Sequence, residues 1–320
     1  MSRKPTRSGP PPDHTRPVCW EDDFSVNTLD ESGFSLRPPI NSWDDSHFQN
    51  RPNLIPNELL DGRSFRDFVE RDHWPIPGDE DREGYCAGFD ASYWMQGLAD
   101  FLKVMRAART LDIDARSVLD FGCASGRVVR HFCLQSDIPE VWGSDINRRH
   151  IRWLCQFMPP RLKPLFNSSM PSLALPDESM DIISAFSVFT HIDTFETSWL
   201  AELRRVLRPG GLCYLTVHNE DTWFAMRELD DSNRLIKSML NTGRFSMDQL
   251  QHSMPADRLV YRFSQTGPYR SQVFHSNDYL QRVWGRYFDI QEIVPRYHSR
   301  QSVVLMTKPQ IERSRLRHAA

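Results

Sequence analysis

The chain has 320 residues, enough for one large domain with extensions, and its 39% apolar and 11% aromatic content can fill a substantial core. A net charge of −3 argues against a strongly basic nucleic-acid binder or a polybasic membrane protein. No apolar run approaches the ~20 residues of a membrane span.

Residues 1–17 are basic and proline-rich and lack an apolar stretch, so the expectation is a disordered tail and not a signal peptide. Residues 18–84 mix Trp, Phe and Pro with acidic clusters. Prolines at 38, 39, 52, 56, 75 and 77 break any long element. An irregular arm wrapped on a main domain is expected, with one short helix near 61–71. The six cysteines, Cys19, Cys86, Cys123, Cys133, Cys155 and Cys213, include no C-x-x-C pair and no metal-ligand spacing. Reduced thiols in a cytoplasmic protein are the expectation.

From Tyr85 the character changes. Trp94, Leu98, Phe101, Leu102 and Met105 recur at helical spacing and predict a helix over 91–110. A buried strand over 117–121 follows, then a loop of small residues, then a helix from Arg127. Further strands are predicted over 140–145, 164–167, 180–186 and 212–218, with helices over 148–157 and 199–207. This alternation implies an α/β fold with a doubly wound, mostly parallel sheet. Ligands in such sheets sit beyond the carboxyl ends of the strands, beside the first strand. Residues 219–272 interrupt the rhythm; they are polar and partly helical over 221–241, and read as a lid-like insertion over the active-site face. A helix over 276–287 and an antiparallel pair, 288–294 and 301–307, complete seven strands. Residues 309–320 read as a frayed tail.

The chemistry concentrates in Asp120-Phe121-Gly122-Cys123-Ala124-Ser125-Gly126. Small residues let the backbone approach a ligand closely, and free N–H groups at a helix start face a polar group. Three further signals follow in order. Asp145 ends the second strand. Leu175-Pro176-Asp177-Glu178-Ser179-Met180-Asp181 leads into the fourth. Arg204-Arg205-Val206-Leu207-Arg208-Pro209-Gly210-Gly211 leads into the fifth. Together they resemble the class I S-adenosylmethionine-dependent methyltransferases of the methyltransferase domain 11 or 12 kind, across residues 85–308. Tyr85, Gly88 and Phe89, with Phe274, His275, Ser276, Asp278 and Tyr279, look like a bacterial subgroup often found beside sugar-modifying enzymes.

The resemblance implies a cofactor, S-adenosylmethionine, and places it residue by residue. Gly122, Cys123 and Ala124 would lie under its methionine part, with Gly126 closing the loop and Asp120 reaching the amino group. Asp145 would accept both ribose hydroxyls, since a carboxylate has acceptor sites only. Ile146 would pack on adenine, Ser169 and Met170 would meet its edge, and Phe186 and Ser187 would lie beside the sulfonium. Ala124 replaces the usual middle glycine, which is tolerable if φ stays negative. Ser169 stands where the family often has Asp, so backbone would hold the adenine amino group.

Methyl transfer from a sulfonium needs an aligned nucleophile and, for a hydroxyl, a base. His191 leads as base, His218 is next, and His275 is third and is also read as orienting the lid. Asp193 and Glu196 read as helix-start residues, and no metal is implied. Arg127 and Arg130 read as helix-surface residues, with Arg127 close to the cofactor loop. The expected acceptor is a small molecule or saccharide, O-methylated. A catalytically silent relative of the same fold is the alternative. A dinucleotide-binding loop would want G-x-G-x-x-G, and here positions 124 and 127 are Ala and Arg. The fourth strand ends Ala185-Phe186-Ser187-Val188, unlike a base N-methylation motif, which argues against nucleic acid.

Overall fold

The computed structural model describes residues 33–264 and 270–310. The expected 1–17 tail, residues 18–32 of the arm and residues 311–320 of the terminal tail lie outside the described residues.

The central sheet has seven strands: β1 (Ser117–Phe121), β2 (Glu140–Asp145), β3 (Leu162–Phe166), β4 (Met180–Ala185), β5 (Leu207–Val217), β8 (Asp289–His298) and β9 (Gln301–Thr307). Their spatial order is β8-β9-β5-β4-β1-β2-β3. The first five run parallel, and β9 pairs antiparallel with both β5 and β8. This is the expected mostly parallel, doubly wound sheet. β1 and β4 are buried along their whole length, as strands covered on both faces must be. Alternate side chains feed two cores. Val118 and Ile182 join Trp94, Phe132 and Trp153 on one face; Leu119 and Ile183 join Trp199, Leu203 and Trp284 on the other.

The helices are α1 (Phe65–Glu70), α2 (Asp90–Thr110), α3 (Val129–Gln135), α4 (Arg148–Phe157), α5 (Glu196–Val206), α6 (Glu220–Ala225), α7 (Arg234–Leu240) and α8 (Asn277–Val283). No helix among the described residues is long and apolar enough to cross a membrane. The strand expected from residue 212 begins at Leu207. Its pairing with β4 jumps from Met180↔Leu207 to Ile182↔Leu212, so the Arg-Pro-Gly-Gly run is a bulge within the strand. Gly210 takes φ +79° there.

The insertion differs from its expectation. The single helical stretch over 221–241 is two short helices, α6 and α7, each with its own Asn cap, Asn219 and Asn233. A ribbon follows, β6 (Arg258–Arg262) against β7 (Ser271–His275), which the polar pattern does not announce. Trp223, Ile236, Met239, Tyr261 and Phe274 give this lid a small core of its own.

The arm is a chain of turns and short helices, α1 and a single turn over Arg51–Leu54 among them, with one ribbon, Leu36–Arg37 against Ile76–Pro77. It is tied down from beneath. Arg130 donates from Nε and Nη2 to Asp72 at 2.9 Å each, and Trp94 Nε1 donates to the same carboxylate at 2.7 Å. Arg130 is therefore not on the helix surface as expected; both it and Asp72 are fully buried. The helix face it occupies is covered by the arm.

Candidate active site

The loop after β1 turns with Gly122 at φ +76°. The N–H groups of Gly122 and Cys123 both donate to Ser144 O, at 2.8 and 2.9 Å, which ties the loop to β2. A Cβ at Gly122 would lie 2.3 Å from Val188 Cγ2, so only glycine fits. Ala124 does not keep the negative φ expected of it; it sits at +47°. The reason is its N–H, which donates to Asp145 Oδ2 at 2.8 Å. Asp145 Oδ1 accepts from the Asn147 N–H at 2.7 Å. Each carboxylate oxygen thus carries one backbone bond and keeps acceptor capacity for another donor. Asp120 is buried, with Ser184 Oγ donating to Oδ1 at 2.9 Å. Burial pushes its acid up to about 7.

A cavity of about 690 Å³ opens above this loop. Asp120, Gly122, Cys123, Ala124, Asp145 and Ile146 line one end. Ser169, Phe186 and Ser187 line its middle and His191 and His218 its lid side. Two sequence candidates stand apart. Gly126 packs beneath the loop, where a Cβ would meet Leu154 Cδ2 at 2.8 Å. Met170 is 42% exposed and does not line the cavity.

The histidines differ in their surroundings. His191 Nδ1 donates to Ser271 O at 2.7 Å, so the lid ribbon fixes that ring. Burial, with the Arg234 charge adding to it, lowers its basicity. His218 is buried against Phe274, its Nδ1 has no partner, and burial pushes its pKa down to about 3. His275 does not line the cavity; its Nε2 lies 3.0 Å from Glu196 Oε2. Glu196 opens α5 as read, but it is buried and also accepts from Arg258 Nε at 2.5 Å and Trp284 Nε1 at 2.8 Å. Asp193 Oδ2 accepts from Arg262 Nε at 2.9 Å and Ser271 Oγ at 2.6 Å. These two carboxylates bolt the lid ribbon to the domain.

Several lining residues lie outside the sequence motifs. Arg127 is half-buried in the wall, not on the helix surface; its Nη1 donates to Asp100 Oδ2 at 2.5 Å. Its guanidinium lies 5.1 Å from the Tyr85 ring and 5.6 Å from the Phe186 ring. Asn167 directly follows β3 at the strand end next to Asp145, a position that could have marked it. It is buried and its Oδ1 has no partner. Tyr93 also lines the cavity with a buried, unpartnered hydroxyl. His298 lines the cavity from the end of β8, far from any motif.

Comparison with known proteins agrees with this geometry. The methyltransferase domain family matches residues 86–292. Among solved structures, the chain is similar to an S-adenosylmethionine-dependent methyltransferase from Methanosarcina mazei. Identity is 18% over 60% of this chain and 92% of that one, with a TM-score of 0.41. It is also similar to the 1,6-didemethyltoxoflavin N1-methyltransferase of Burkholderia thailandensis, solved with 1,6-didemethyltoxoflavin and S-adenosylhomocysteine. Here identity is 15% over 65% of this chain and 76% of that one, with a TM-score of 0.43. An S-adenosylmethionine-dependent methyltransferase from Mesorhizobium loti is 12% identical over 63% of this chain and 96% of that one, with a TM-score of 0.46. With most of the parallel sheet and its glycine loop inside the matched span, the chain belongs to the methyltransferase domain family and is a class I S-adenosylmethionine-dependent methyltransferase.

Proposed function

We propose that the protein methylates a hydroxyl group of a small molecule or saccharide enclosed between the β1 loop and the lid. The observation that carries this reading is the continuous cavity, about 690 Å³, running from Asp145 to the lid histidines. That volume lies within the roughly 300–1,000 Å³ of ordinary small-molecule sites.

The residues fit the cofactor. Asp145 retains acceptor capacity for the two ribose hydroxyls. Asn167 Oδ1, buried and unpartnered, suits the adenine amino group in place of the backbone contact inferred from Ser169. Ile146 packs on the base, and Ser169 flanks its edge with Met170 outside. Gly122, Cys123 and Ala124 pass under the methionine part, Gly126 supports their turn, and Asp120 reaches its amino group. Phe186 and Ser187 flank the sulfonium. The bound cofactor supplies a methyl group already activated by the positive sulfur. What this chain must add is alignment of the acceptor and removal of its proton. His191 and His218 bring ring nitrogens to the acceptor end. Of the two, His191 is the stronger proton acceptor: its donating Nδ1 leaves the lone pair on Nε2, whereas the low pKa of His218 makes it a weak one.

Calorimetric titration with S-adenosylmethionine and S-adenosylhomocysteine, beside Asp145→Ala, tests the cofactor site. Micromolar binding that the variant loses is expected, followed by turnover in a hydroxyl-acceptor screen begun with sugars. A folded wild type that binds neither compound refutes the reading.

A further inference from the structure

His298 stands at the end of β8, where the β8–β9 hairpin reaches the carboxyl edge of the sheet. It is 198 residues from Asp100 in sequence, yet its Nδ1 lies 2.9 Å from Asp100 Oδ1. Both side chains are buried. The other Asp100 oxygen is held by Arg127 Nη1 at 2.5 Å, and that guanidinium is itself set against Tyr85 and Phe186. The carboxylate therefore cannot swing away from the ring. Burial opposes its charge, but His298 and Arg127 overcome this and hold it ionised, well below the usual carboxylate range. The imidazole lines the cavity with its centroid 5.2 Å from that of Phe186.

We propose that His298, positioned by Asp100, is the base that removes the acceptor's proton. The proposal rests on the methyl-transfer reading above. A carboxylate only accepts, so the proton of the neutral ring sits on Nδ1 and the lone pair on Nε2. The acceptor oxygen forms its bond to the methyl carbon as the carbon–sulfur bond breaks and the electron pair leaves on sulfur. The acceptor's proton passes to Nε2. The resulting imidazolium then lies against a fixed negative charge, the arrangement that makes a carboxylate–histidine pair an effective base. His191 Nδ1 faces a neutral carbonyl, and His218 has no partner on Nδ1. Asp100 touches neither acceptor nor cofactor in this scheme and is a positioning residue.

The test is nitrogen NMR of histidine-labelled protein loaded with S-adenosylhomocysteine, with His298→Gln assigning the signal. The expected state at pH 7.5 is Nδ1-protonated with a bare Nε2. In Asp100→Asn the carboxamide donates to Nδ1 and the ring switches to the Nε2-protonated form. An Nε2-protonated ring in wild type, or an imidazolium persisting at pH 8, overturns the proposal. If Asp100→Asn does not fold, the wild-type tautomer still decides. On any alcohol that wild type methylates in a panel of glucose, glucuronate and catechol, His298→Gln should lower kcat about 100- to 10,000-fold with KM little changed. Wild-type kcat in that variant overturns the proposal. Failure of wild type to bind S-adenosylhomocysteine overturns the methyl-transfer reading and this one with it. Normal binding with the wrong tautomer overturns the base alone.

Discussion

At residue scale, Asp120 has the most consequential environment. A carboxyl group whose acid is pushed up to about 7 by burial is largely protonated below that pH in the free protein. An ammonium group placed beside it favours the carboxylate, so cofactor binding and proton release are linked. Affinity for S-adenosylhomocysteine should therefore rise as pH increases toward about 7 and then level off. Calorimetry at pH 6.5 in buffers of different ionisation enthalpy should show proton release that disappears in Asp120→Asn. Equal release in the variant would assign the proton to another group. The sequence made Asp120, Gly122 and Asp145 readable because strand, turn and helix set their places locally. Ala124 was only half readable: its position was plain, but its φ of +47° depends on a bond to Asp145 across the strand boundary. Left-handed backbone costs a non-glycine residue roughly 1–2 kcal/mol, which that hydrogen bond helps to offset. The pairings of Arg127 and Arg130 could not be read. Their partners, Asp100 and Asp72, precede them by 27 and 58 residues, and nothing in the local pattern announces the meeting.

At the scale of elements, the lid ribbon hangs on Glu196. One buried carboxylate satisfies Arg258, His275 and Trp284 together. Burial raises its acid, but His275 and Arg258 overcome that and hold it at about 2. Its contribution to stability is thus present above the ordinary glutamate range and is lost as pH falls through about 2. Glu196→Ala takes the shared acceptor from the buried His275 and Trp284 and the counter-ion from a half-buried Arg258, so the expected cost is about 2–3 kcal/mol, below the ~3–5 of a fully buried pair. Urea unfolding at pH 7 should show that loss. A loss below about 1 kcal/mol, the usual value for an exposed pair, would mean that the bridge is not holding the lid. The strands and helices of the sheet were legible because their hydrophobic periods are long and regular. The ribbon was not. Arg258, Arg262, Ser271 and Gln272 carry polar side chains whose partners, Asp193, Glu196 and Ser238, come from other elements. Polarity therefore gave no strand signal where it marks a docked strand.

For the whole molecule, the arrangement of hydrophobic cores predicts how it comes apart. Arm residues Phe48, Phe68 and Ile76 belong to the same cluster as Trp94 of α2 and Val118 of β1. The arm closes over the Asp72–Arg130 pair, so it cannot peel away without leaving a buried charge unpaired. The lid is built differently. Its core of Trp223, Ile236, Met239, Tyr261 and Phe274 forms a separate cluster. It reaches the domain through the Glu196 and Asp193 bridges, the His191 bond to Ser271 O, and backbone bonds from His275 N to His218 O at 2.9 Å and from Val273 N to Thr190 O at 2.8 Å. Cooperative units follow contiguous buried contacts, so the lid should open on its own while arm and sheet unfold as one. Native-state hydrogen exchange at increasing denaturant measures this directly. Amides of α7, β6 and β7 should share one opening free energy, lower than that shared by β1, β4 and the Asp72 segment. Exchange of lid and sheet amides with a single common free energy would show one cooperative unit and refute the division. A lid that opens alone also gives the acceptor a route into a cavity whose other walls are the rigid sheet and the clamped arm.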